Sequence, residues 1–249
     1  MGGRQSRSVQ RETTPALPPS QPPDLSAARR PPPPPLPQGA NIAADIARGE
    51  LSEATIGYTV LENALLLRDL FQGDSFYVTL AQDVAGVEMA GTLKNIVALA
   101  AGFVEGLGLG PNTKAAVMRA GLAEMVRFAQ ALYPAVRAET FFESCGVADL
   151  IATCYGGRNR RVAREYALRV MRGEAASFGG LEAELLGGQK LQGALTSEEV
   201  QLILRRRGWE GDYPLFTTGE SAAGCMQNTQ PAWRGRVHDG ADARRRGPF

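Results

Sequence analysis

Histidine is almost absent from these 249 residues. The single one, His238, lies outside the stretch that reads as folded, 39–218. Histidine general acid–base or triad catalysis is therefore excluded there, and a proton donor must be Lys, Tyr, Cys or a carboxylate. It also leaves little room for a histidine metal site, and no metal is expected. The three cysteines, Cys145, Cys154 and Cys225, cannot build a disulfide framework and show no C-x-x-C spacing. No uninterrupted apolar run reaches the ~18 residues a spanning helix needs. Residues 1–38 hold no apolar core of a secretory signal. The formal net charge is only +1, which suggests neither a polyanion nor an anionic membrane as partner. Together these absences point to a reduced, cytoplasmic setting without nucleic-acid or membrane partners.

What is present is unevenly spread. Residues 1–38 carry 11 of the 16 prolines, including the run Pro31 to Pro35, and few large apolar side chains. Such a segment buries too little surface to offset its ordering entropy, so it reads as disordered with polyproline II character. Residues 219–249 have five arginines, a lone Trp233 and no periodicity, and read as a second disordered tail. The body between them carries 17 basic and 21 acidic residues.

Within the body the pattern changes once. A short helix is expected at 40–48, strands at 55–59 and 75–80, and between them a helix with Leu61, Leu65, Leu66 and Leu70 on one face. From residue 84 the pattern is helical throughout. The stretch 84–103 is apolar apart from Glu88, Lys94 and Asn95, and so reads as a helix buried nearly all round. Gly106, Gly108 and Gly110 end it. Met118, Leu122, Met125, Ala129 and Leu132 mark an amphipathic helix with Pro134 beyond its end. Thr140 with Glu143 fits a capping box opening a helix to about Ile151, and Thr196 with Glu199 fits a second, closed by Gly208. Between them Asn159 begins a helix to about Met171. The fold class is thus mainly α: 84–218 forms an all-helical domain, 39–83 precedes it as a small α/β piece, and tails flank both.

Lysine is scarce, at three residues against 24 arginines. Lys94 sits inside the most apolar helix, where burial can prepare a lysine for proton transfer. An ordinary ion pair or a side chain that reaches the surface is the more common role of such a lysine and stays open from the residues alone. At 153–160, Gly156 and Gly157 precede a helix start beside Arg158. That arrangement suits a phosphate, or a plain turn with a surface arginine. Asp149, one helical turn before Thr153, could orient Lys94 or bind a substrate hydroxyl, or form a simple buried pair. Cys145 and Cys154 read as packing residues.

At these positions the chain resembles a known family. Gly-Thr-Leu-Lys-Asn at 91–95, the runs 102–108 and 112–116, Glu-Ser-Cys-Gly-Val-Ala-Asp-Leu at 143–150, and the stretches 153–160, 188–193 and 214–216 resemble NAD-dependent glycerol-3-phosphate dehydrogenase of the eukaryotic cytosolic type. The opening 39–43 joins them. The resemblance implies a helical substrate domain of the 6-phosphogluconate dehydrogenase C-terminal type and reversible hydride transfer between NADH and dihydroxyacetone phosphate. The product is sn-glycerol 3-phosphate, in carbohydrate and glycerolipid metabolism, and the expected assembly is a homodimer. It implies Lys94 as proton donor, and Asn95, Asp149, Thr153, Arg158 and Asn159 as substrate residues. Ala43, Arg158, Lys190 and Gln192 would line the NAD site. The family's G-x-G-x-x-G has no counterpart in this sequence, so 39–83 is expected to be the closing remnant of a Rossmann domain. The alternative to an enzyme is a non-catalytic interaction or dimerisation fragment of the same family.

Overall fold

A computed structural model describes residues 37–218. The segments read as disordered, 1–38 and 219–249, lie outside the described residues except for Pro37 and Gln38, which pair as a short strand instead. The chain begins with a three-stranded sheet in the order β1-β2-β3. Strand β1 (Pro37–Gln38) runs antiparallel to β2 (Ser52–Gly57), and β2 pairs in parallel with β3 (Phe76–Ala81), Ser52 opposite Phe76 and Gly57 opposite Ala81. A short helix α1 (Ala43–Ala47) and a crossover helix α2 (Leu61–Phe71) complete this part. β2 is buried on nearly its whole length, whereas α2 buries only Ala64. The leucine face of α2 exists, but Leu66 and Leu70 are more than 70% exposed.

The centre of the molecule is α3 (Val84–Gly106). Asp83 starts it, its carboxylate accepting from the Gly86 amide at 2.8 Å. Gly108, at φ 68°, follows its end. By length and composition α3 could cross a membrane, yet it is the core helix around which α4 (Gly110–Leu132), α5 (Asp149–Gly156), α6 (Arg158–Met171) and α8 (Gln192–Arg207) pack. Gly102 and Gly106 bring α6 against it: a side-chain carbon at Gly102 would lie 2.4 Å from the Arg160 carbonyl oxygen. Leu93, Ile96, Val97 and Ala101 face a core with Met125 and Phe128 of α4, Phe141, Val200, Leu204 and Phe216. Leu99 faces a second core with Val162, Tyr166 and Leu181. Helix α7 (Phe178–Leu186), which the sequence pattern leaves unmarked, runs from the Ser177 cap to left-handed Gly187.

Both capping boxes are corrected by the structure. The Thr140 hydroxyl donates to Asp83 at 2.6 Å, and the Arg137 amide donates to the same oxygen at 2.9 Å. The hydroxyl is thus taken by a residue far away in sequence. The segment runs as a 3₁₀ turn (Ala138–Phe142) and a π-turn (Ser144–Ala148), and the α-helix starts only at Asp149. Thr196 and Glu199 lie inside α8, which begins at Gln192. Gly208, at φ 68°, does close that helix.

Candidate active site

Two neighbouring residues of α3 and the starts of α5 and α6 make the polar centre of the helical part. Lys94 projects from a helix otherwise buried in apolar contacts, and its ammonium donates to Asp149 Oδ2. Both side chains are largely buried, at 17% and 7% exposure. The other oxygen of Asp149 accepts from the Thr153 hydroxyl at 3.2 Å, one turn along α5. Burial pushes the Asp149 carboxyl above the usual carboxylate range, while the Lys94 charge and the two hydrogen bonds pull the other way. The result is a desolvated lysine–carboxylate pair whose ammonium keeps further N–H groups for a ligand.

Asn95 lies beside it. Its Oδ1 accepts from Asn159 Nδ2 at 2.9 Å, and its own amide donates to the Gly91 and Thr92 carbonyls at 3.3 Å. Asn159, buried in the first turn of α6, accepts from the Gly193 amide at 3.0 Å. A side chain at Gly193 would collide with Asn159 and the Asn95 carbonyl at 2.8 Å, so α8 begins in contact with both asparagines. Helix α6 starts on Gly157, which has no side chain to cap its first amides. Arg158 is exposed there and donates to Gln189 Oε1 at 2.6 Å.

The remaining expected residues sit at the rim. Lys190 is 75% exposed and donates to Glu182 at 2.9 Å; Glu182 also accepts from the Leu191 amide at 3.0 Å. Gln192 is exposed at the first position of α8. Ala43 is exposed at the start of α1. Its neighbour Ile42 lies against the α5–α6 turn, 3.3 Å from where a Gly156 side chain would begin.

The structure thus joins Lys94, Asp149 and Thr153 in one group and Asn95 with Asn159 in a second. Gln189, Gly193 and Glu182 take part as well. Gln189 lies in the loop after Gly187 and Gly188, and Gly193 in the first turn of α8, within the stretch 188–193 that carries the resemblance, whereas nothing in the sequence marks Glu182. A third polar group, Lys114 with Glu105 and the Tyr155 ring, and Arg160 2.5 Å from Glu105, ties the end of α3 to α4 and α6. Burial pushes the Cys145 and Cys154 thiols up to about 12, so neither supplies a thiolate. Among the described residues no group of His, Cys, Asp and Glu could hold a metal ion.

Known proteins share this arrangement of segments. Residues 83–223 match the family model for the C-terminus of NAD-dependent glycerol-3-phosphate dehydrogenase. The chain is 53% identical over 179 residues to the cytoplasmic glycerol-3-phosphate dehydrogenase [NAD(+)] of Drosophila melanogaster, covering 72% of this chain and 48% of that one. It is 56% identical over 194 residues to the chloroplastic enzyme 1 of Arabidopsis thaliana, covering 78% and 47%. It therefore spans about half the length of these relatives. Among solved structures, DsGPDH of Dunaliella salina superposes with a TM-score of 0.73 at 56% identity, covering 75% of this chain and 35% of that one. The glycerol-3-phosphate dehydrogenase of Saccharomyces cerevisiae gives 0.69 at 42% identity, covering 78% and 56%. A helical core that carries Lys94 and Asp149, and that the family model covers from residue 83 onward, leaves one assignment: the chain belongs to the NAD-dependent glycerol-3-phosphate dehydrogenase family.

Proposed function

We propose that this chain provides the substrate half of a glycerol-3-phosphate dehydrogenase that interconverts dihydroxyacetone phosphate and sn-glycerol 3-phosphate with NAD. The observation that carries this is the desolvated Lys94–Asp149 pair beside an uncapped helix start with Arg158. Lys94 Nζ–H donates a proton to the substrate carbonyl oxygen during reduction and takes it back in the reverse direction. Asp149 stabilises the ammonium and fixes its direction, and Thr153 fixes Asp149. Asn95, held by Asn159, offers polar contacts to the substrate. Arg158 and the first amides of α6, including that of Asn159, take the phosphate, where a helix N-terminus and a guanidinium fork favour an anion.

The described residues fit one wall of a dinucleotide site. Ala43, Arg158, Lys190 and Gln192 would line its nicotinamide side. They do not fit the pyrophosphate: no strand-to-helix turn here is glycine-rich, and the start of α3 is already capped by Asp83. Bound NADH supplies the hydride in this chemistry. In this reading 39–83 is the closing part of the nucleotide-binding domain and 84–218 the substrate domain. The protein is cytoplasmic, as the Drosophila relative is named, and works as a homodimer.

Turnover of dihydroxyacetone phosphate with NADH, in a chimera that restores a complete nucleotide-binding domain, tests this. Lys94→Arg keeps the charge but removes a usable proton, and should lower kcat by about 10²–10⁴. Arg158→Lys loses the bidentate grip and should chiefly raise KM. Near-full kcat in Lys94→Arg would overturn the role of Lys94.

A further inference from the structure

The Lys94–Asp149 pair joins two segments that are 55 residues apart, and the segment delivering Asp149 is fastened in an unusual way. Residues 137–148 contain no α-helix; they run through the 3₁₀ turn and the π-turn directly into Asp149. Such a segment has little regular hydrogen bonding to hold its shape. Its first half is fastened to the start of α3 by Asp83, which accepts from the Arg137 amide and the Thr140 hydroxyl. Its second half is fastened to the sheet. The buried Ser144 hydroxyl donates to the Glu53 carbonyl of β2 at 3.0 Å and accepts from the Ala40 amide at 3.2 Å. The next amide, that of Cys145, donates to Thr55 Oγ1 at 3.3 Å. Thr55 is fully buried, and its hydroxyl oxygen also accepts from Thr79 of β3 at 3.0 Å. Gly39 permits this approach: a side chain there would lie 2.5 Å from Ser144 Oγ and 2.4 Å from the Glu53 carbonyl oxygen.

We propose that Ser144 and Thr55 are positioning residues for the Lys94–Asp149 pair, coupling the strands of the α/β part to the placement of the Asp149 carboxylate; the proposal rests on the reading of that pair as the proton-donating machinery. Buried hydroxyls are unfavourable unless bonded, and an apolar residue would fill the Thr55 position with equal volume. Apolar packing is also non-directional, whereas hydrogen bonds fix distance and angle. The π-turn is too short to absorb a slip: only three residues lie between Cys145 and Asp149. Moving its tethered end therefore moves Asp149 relative to Lys94. A change in the strands, including one caused by a ligand seated on the α/β part, would reach the catalytic pair by this route.

The test uses the full 249-residue chain and its three lysines. Reductive ¹³C-methylation keeps the lysine charge and gives separate NMR signals for Lys94, Lys114 and Lys190. Asp149→Asn defines where the Lys94 signal falls when its partner is neutral. Thr55→Val, which keeps the shape and removes the hydroxyl, and Ser144→Ala should both move the Lys94 signal toward that position. Thr55→Ser keeps the hydroxyl and should leave it in place, and Lys114 and Lys190 should not move in any of the three. A Lys94 signal unmoved in Thr55→Val and Ser144→Ala would overturn the proposal. So would equal movement of all three lysines, which would report general loosening. Ser144→Ala deletes one oxygen and decides the matter alone if Thr55→Val does not fold. The comparison needs no turnover: failure of the chain to bind sn-glycerol 3-phosphate would strike the proposed function, while the spectra would still decide the coupling.

Discussion

Helices α2 and α3 both carry large apolar residues at helical spacing and meet different fates. In α3, Leu93, Ile96, Val97 and Leu99 are fully buried by helices on several sides. In α2, Leu61, Leu65, Leu66 and Leu70 share a face and all four are exposed, Leu66 and Leu70 by more than 70%. The contrast extends to their surroundings. Among the described residues, ten of the eighteen exposed large apolar side chains fall between Ile42 and Tyr77, a stretch far shorter than the helical part that holds the other eight. Helical spacing therefore reports which face of an element is apolar, and only tertiary partners decide whether it is buried. The chemistry divides in the same way. The paired ionisable groups of the candidate site stand on the well-buried helices, and the α/β part contributes tethers and a rim.

Substitutions can break this comparison, beginning with the largest expected effect. Phe128→Ala empties the main core between α4 and the short helical segment 214–218 and should cost about 3–5 kcal/mol in urea unfolding. Asp83→Ala acts at the seam between the two parts. It removes the cap of α3 and leaves the Arg137 amide and Thr140 hydroxyl without their acceptor, for a loss of about 1.5–3 kcal/mol. Glu124 gives a smaller, pH-dependent effect. It is buried and accepts from the Leu215 and Phe216 amides at 2.9 and 3.0 Å, and burial raises its carboxyl above the usual range. The folded state then binds that proton more tightly than the unfolded chain does. Its contribution to stability is full at low pH and falls as pH rises from the ordinary carboxyl range to the raised value, by at most about 1.4 kcal/mol per pH unit. Glu124→Gln should remove this slope from the pH profile of stability. Leu66→Ala, on the uncovered face of α2, should stay within about 0.5 kcal/mol. A loss comparable to that of Phe128→Ala would show that this face is covered in solution.

Much of the helical part is legible in the sequence because its signals are local. The apolar run of α3, the spacing of α4, Gly108, Pro134, the Gly156–Gly157 break and Gly208 all act within a few residues of the element they bound. The segment 137–148 is not legible for the opposite reason. Thr140 and Glu143 have capping-box spacing, but Asp83, more than fifty residues away, takes the hydroxyl. Helix α7 is hidden by Gly179 and Gly180 in its first turn. At the site, residue types alone suggest that Asp149 could orient Lys94, and the structure places them in contact. Asn159 shows what types cannot convey. An expected phosphate ligand, it has its side chain engaged at both ends, with Asn95 and with Gly193.

We propose that the helical part binds a phosphate-bearing three-carbon substrate between Asn95, Asn159 and Arg158. Side-chain amide NMR of the full chain tests it most directly, with sn-glycerol 3-phosphate titrated against glycerol. Saturable shifts of the Asn95 and Asn159 amide signals are expected with the phosphate ester, with little change with glycerol and loss of the response in Arg158→Ala. Unmoved Asn95 and Asn159 signals at saturating ester, or an undiminished response in Arg158→Ala, would contradict it.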